Sequence, residues 1–136
     1  MKIGVTGTRN GMTEYQYNNI RKGLTHLKRK HDELELHHGD CIGVDMQVAN
    51  MARNLGIKVV SHPPIKEDLR AFHDSDIVLK SDNYLTRDRR IVDSVDMLIV
   101  VPKEDSFQQK SGTKYTHDYA KKTGKNKVIF YPNPKT

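Results

Sequence analysis

The chain has 136 residues, of which 35% are hydrophobic and 29% charged, and a formal net charge of +6. That length suits one domain, and no run of about 18 apolar residues is present to cross a membrane. The lone cysteine, Cys41, excludes an internal disulfide. Together with an N-terminus (Met1-Lys2-Ile3-Gly4-Val5) that runs straight into a strand, it points to a reducing, cytoplasmic setting.

Lys2 to Thr6 reads as a first strand, ending at Gly7-Thr8-Arg9-Asn10-Gly11. Thr13 is placed to cap a helix through about Lys30, with Tyr17, Ile20, Leu24 and Leu27 on one face. Leu34 to His38 is a second strand, and Val44 to Leu55 a second helix closed by Gly56. Ile57 to Ser61 is a third strand, stopped by Pro63-Pro64, and a short helix is expected near Lys66 to Phe72. Thr86 to Ser94 looks helical, Asp96 to Val101 is a fourth strand, Thr113 to Thr123 another helix, and Lys127 to Tyr131 the last strand. The loop from Lys103 to Lys110 and the tail 132–136 are polar and carry little to bury.

Strands alternating with helices imply right-handed crossovers. The fold class is α/β: a Rossmann-like, doubly wound, mainly parallel sheet of about five strands with helices on both faces, over residues 1–131. Ligands of such sheets sit beyond the carboxyl ends of the strands, near the topological switch point. The turns rich in Gly, Thr, Ser and Asp all fall on that edge.

Each turn has a bland and a functional reading. Gly7, Thr8 and Arg9 form either a tight turn with an exposed arginine or a phosphate grip, since arginine pairs bidentately with phosphate. Gly39, Asp40, Gly43 and Asp45 form the second turn; Asp45 is placed equally well to cap the helix or to meet a ribose hydroxyl, and Asp40 is the one expected to face the crevice. Ser111, Gly112 and Thr113 open a helix whose N–H groups and dipole favour an anion. His37 and His38, neighbours on a strand, point to opposite faces and so cannot chelate one metal. One packed and one half-exposed histidine are expected, and neither a metal nor a resident cofactor.

Four segments in order, Thr6-Gly7-Thr8-Arg9, His38-Gly39-Asp40-Cys41-Ile42-Gly43-Val44-Asp45, Arg87-Asp88-Arg89-Arg90-Ile91 and Ser111-Gly112-Thr113, resemble the pattern of the SLOG superfamily. It comprises the LOG phosphoribohydrolases, the DprA DNA-processing proteins and small proteins of unassigned role; the likeness is to the small YspA-like members, grouped as domain of unknown function 2493. The resemblance implies nucleotide-type ligands and places Arg87 near the phosphate or ribose. It also marks departures. Asp88 stands where the pattern has Asn, and Thr116 stands where LOG enzymes carry a catalytic Glu. Threonine is no general acid or base at neutral pH.

Three readings follow in order: a module that binds a nucleotide or nucleotide-derived small molecule; an N-glycosidic hydrolase or transferase using Asp40, Asp45 or Arg87; and DNA binding of the DprA kind, drawn from the net charge. The basic clusters Arg21 to Lys30 and Lys121 to Lys127 are read first as solvated surface. Tyr115 and Tyr119, four apart on one helix, suit either a homo-oligomer contact or packing within the monomer. No membrane partner is expected.

Overall fold

The computed structural model describes residues 1–106 and 111–134. Its elements are β1 (Lys2–Gly7), α1 (Glu14–Lys30), β2 (Glu35–His38), α2 (Val44–Asn54), β3 (Lys58–Ser61), β4 (Ile77–Val78), α3 (Tyr84–Ser94), β5 (Met97–Val101), α4 (Gly112–Lys122) and β6 (Asn126–Ile129). All strand pairs are parallel, in the order β4-β3-β2-β1-β5-β6. Progression along the chain reverses between β1 and β5, which is the switch point where such sheets leave a crevice.

Alternation along the strands builds two cores. Ile3, Val5, Leu36, Val59, Ile99 and Val101 pack with Ile20 and Leu24 of α1 and with the apolar stripe of α2. Leu98 and Val100, their neighbours on β5, pack instead with Ile91 and Val92 of α3 and Ala120 of α4. Period-two strand geometry thus covers the sheet on both faces.

Helix starts follow their capping chemistry. Thr13 and Gln16 form a reciprocal capping box on α1, and Asn83 and Ser111 cap α3 and α4 through their side chains. Gln16 also donates to the carbonyls of Pro102 and Phe130, pinning the start of α1 to the ends of β5 and β6.

The crossover from β3 to β4 departs from the sequence expectation. Residues 66–72 form no helix, because the loop spends its backbone groups elsewhere. Ala71 donates to the Asp40 carbonyl, Ile42 donates to the Leu69 carbonyl, and Arg70 bridges Cys41. The same crossover supplies a sixth strand, Ile77–Val78, too short to register as a pattern. The last strand ends at Ile129, two residues before the expected Tyr131.

Gly43 opens α2 at φ +91, and a Cβ there would lie 2.5 Å from the Arg9 carbonyl oxygen. Only glycine fits where the second turn folds over the first. Gly43→Ala should therefore cost about 3 kcal/mol or more in urea denaturation. Gly23→Ala, on open helix surface, should be neutral or stabilising by up to ~1 kcal/mol.

Candidate functional site

A crevice of about 720 Å³ opens at the carboxyl ends of β1 and β5. Its mouth is formed by Gly7, Thr8, Arg9 and Asn10 after β1, Lys103, Glu104 and Ser106 after β5, and Ser111 to Thr113 at the start of α4. One wall is Tyr84, Leu85 and Ile91 of α3, and the floor is Gly39, Cys41, Asp45, Arg87 and Asp88. Of the residues singled out from sequence, Gly7, Thr8, Arg9, Gly39, Asp45, Arg87, Ser111, Gly112 and Thr113 line this one space.

Asp40 does not. It is fully buried at φ 56 beneath the floor. Its carboxylate accepts from Arg70 Nε at 2.7 Å and from the His73 N–H at 2.8 Å. A left-handed turn aims its side chain away from the crevice and into the crossover, so the expected crevice carboxylate is a loop anchor instead. Gly43 also stands back, as the hinge that lets α2 begin.

Asp45, rather than capping α2, reaches backwards. Its Oδ2 accepts from the N–H of Gly39 at 3.1 Å and of Cys41 at 3.4 Å. Burial is the main cause that lifts its pKa to about 6, with the Asp88 charge adding to it and Arg87 opposing. The carboxyl is therefore poised to gain or lose a proton near neutrality.

Arg87 is buried at the centre of the floor. Its Nε pairs with Asp88 at 2.8 Å, its Nη1 donates to the carbonyls of Gly39 and His62, and its Nη2 makes a long contact to the Cys41 sulfur at 3.7 Å. Gly39 lacks a Cβ because one there would sit 2.7 Å from Arg87 Nη1. Burial alone would weaken the guanidinium charge, yet Asp88, Cys41 and Asp45 hold it firmly protonated.

Asp88 is the carboxylate that the sequence reading passed over. Buried on α3, it meets both Arg87 and the Thr116 hydroxyl. Asp88 on α3 thus faces Thr116 on α4, a meeting that no local spacing in the sequence marks. Burial raises its pKa against the pull of Arg87. Cys41, Tyr84 and Leu85 were likewise missed as lining residues, since nothing in their spacing marks them.

Both strand histidines are buried, unlike the expected packed and half-exposed pair. Arg90 Nε donates to His62 Nδ1, so His62 Nε2 donates to His37 Nδ1, whose Nε2 donates to Glu35. The Asp40 N–H donates to His38 Nδ1, so His38 Nε2 donates to Ser75. Burial lowers the pKa values of His37, His38 and His62, so these three favour the neutral ring. No group of three or more metal-ligating side chains occurs among the described residues. Tyr115 accepts from Arg89 and Tyr119 donates to Asp93, tying α4 to α3 within the monomer. Of the polar loop from Lys103 to Lys110, residues 107–110 lie outside those described.

No family model and no curated protein matches the chain. Solved structures do. A molybdenum cofactor binding protein from Rippkaea orientalis matches with TM-score 0.73 at 19% identity, over 97% of this chain and 77% of its own. DprA from Streptococcus pneumoniae matches with TM-score 0.70 at 18% identity, over 94% of this chain but 49% of its own, so the chain spans about half of it. A molybdenum cofactor carrier protein from Chlamydomonas reinhardtii matches with TM-score 0.67 at 20% identity, over 94% of this chain and 74% of its own. The Rossmann-like fold is shared with all three.

Two pH responses of opposite sign follow. His38 and His62 have pKa values lowered from 6.5 to about 3, chiefly by burial, so their contribution to stability is complete above pH 6.5 and lost as pH falls towards 3. Unfolding between those values should take up protons, measurable by calorimetry in buffers of different ionisation enthalpy. Asp45 works the other way: with its pKa raised from 3.8 to about 6, ionising it costs stability as pH rises through 6. The melting temperature of Asp45→Asn relative to wild type should accordingly be higher at pH 8 than at pH 5.

Proposed function

We propose that the crevice binds a phosphorylated, nucleotide-type small molecule, with the phosphate in the mouth and the ring against the α3 wall. The observation that carries this reading is the convergence of two anion-accepting turns on one cavity. From α4, the first-turn amides of Gly112 and Thr113 have no helical carbonyl to bond, and the helix dipole adds a partial positive charge. Ser111 spends its hydroxyl on the Lys114 N–H, which holds that turn open. Across the mouth, Arg9 and Lys103 bring full charges at exposed positions.

The cavity volume falls within the range of roughly 300–1,000 Å³ typical of small-molecule sites. Tyr84 and Leu85 supply a flat, half-apolar wall. In the floor, Asp88 bonds Arg87 and Thr116, and one oxygen of Asp45 accepts from two backbone donors. Floor carboxylates so tethered support retention of a ligand over its turnover. Proteins that share this fold include molybdenum cofactor binding and carrier proteins and a DNA-processing protein.

Nucleoside monophosphates should raise the melting temperature and be recovered intact by mass spectrometry, while the matching nucleosides should shift it far less. Gly112 has open space where a Cβ would stand, so Gly112→Val should leave folding intact and weaken binding about tenfold or more. Arg9→Ala should do the same with a reduced salt dependence. Absence of any shift with phosphorylated compounds would contradict the reading, and release of free base would replace a binding module with a hydrolase.

A further inference from the structure

The crevice floor presents one unspent acceptor beside one unspent donor. Asp45 is 6% exposed, and both hydrogen bonds its carboxyl receives from the described residues fall on Oδ2. Oδ1 is left to the crevice that Asp45 lines. On Arg87, Nε and Nη1 are committed to strong acceptors, whereas Nη2 has only the thiol contact at 3.7 Å. Asp45 and Arg87 both press against Gly39 and Cys41, yet they form no ion pair with each other. Neither atom is buried without a partner, a state that among the described residues belongs to Ser61 Oγ, so both stay open to an incoming ligand.

We infer that Asp45 and Arg87 read the edge of a ring that carries an amino group and a ring N–H beside a carbonyl, the 2-amino-4-oxopyrimidine edge shared by guanine and pterins. This inference rests on the proposed binding of a phosphorylated ligand in the same crevice. The two lone pairs of Oδ1 take the ring N–H and the amino N–H, which are adjacent donors. Nη2 of Arg87 donates to the carbonyl oxygen next to them. Adenine brings a single donor to this edge and no carbonyl, and xanthine places a second carbonyl where the amino group must be. The ring lies along Tyr84, whose own ring packs 5.5 Å from the Arg87 guanidinium carbon, so wall and edge reader are fixed by the same side chain. A burial-raised pKa of Asp45 fits this role, because incoming N–H donors replace the solvation its ionised form lacks.

Asp45→Asn tests this without changing size. Gly39 and Cys41 still need an acceptor, so the amide oxygen faces them and the NH₂ faces the crevice. An acceptor becomes a donor in place. Affinities of GMP, AMP, XMP and neopterin phosphate are measured by calorimetry for wild type and variant, with circular dichroism confirming the fold. The wild type should favour GMP over AMP and XMP by about tenfold or more. The variant should lose GMP by a similar factor and gain XMP, whose extra carbonyl accepts from the new amide. Neopterin phosphate binding tighter than GMP would assign the edge to a pterin, and the reverse to guanine; both carry the inference. AMP binding the wild type as tightly as GMP would overturn it, with phosphate binding untouched. So would a folded variant whose GMP-to-XMP ratio is unchanged. Failure of every phosphorylated probe to bind the wild type would overturn the binding reading and this one together.

Discussion

The structure around the crevice depends on one buried guanidinium. Arg87 leaves α3 on one face of the sheet and ends beneath the loop that joins β2 to α2, packed on the other face. It supplies donors to two carbonyls, a counter-charge to Asp88 and an electrostatic partner to Asp45. A buried charge is tolerated only with such compensation, and removing one partner from a set of this kind commonly costs several kcal/mol. The glycine at 39 exists to make room for it, and the turn that carries Asp45 takes its shape from that approach. Crevice floor, loop conformation and helix placement are therefore one problem with one solution.

Around that centre, the fold keeps histidine charge out of the interior and carboxylates in. Burial favours the neutral form of His37, His38 and His62, and hydrogen bonds from Arg90 and the Asp40 amide orient their rings. Asp45 and Asp88, by contrast, stay in the floor with their pKa values raised by burial. A site that pays for two buried acids beside a cation is stable only at a cost, which is the usual signature of function over stability. The mouth differs in kind: its groups are exposed, cationic or amidic, and suited to an anion arriving from solvent.

Much of this was legible in the sequence, for identifiable reasons. Strand and helix periods, the Thr13 and Ser111 caps and the glycine-rich turns are local signals, and each marked its element and the edge on which ligands sit. What escaped was non-local. The strand Ile77–Val78 has two residues and no pattern of its own. The expected helix near Lys66 to Phe72 is undone by Asp40, more than 25 residues earlier in the chain, which captures Arg70 and His73. The same interaction moved Asp40 out of the crevice, because a positive φ at a non-glycine residue cannot be read from spacing. Asp88 was visible as a departure from a pattern, but its meeting with Thr116 required the two helices to be set side by side.

The most direct test of the crevice as the phosphate site is an ¹H–¹⁵N correlation titration of the folded protein with GMP. Saturating shifts led by the amides of Arg9, Gly112 and Thr113, reduced in common by competing inorganic phosphate, are expected. Shifts spread instead along the basic helix α1, with the α4 amides unmoved, would contradict it.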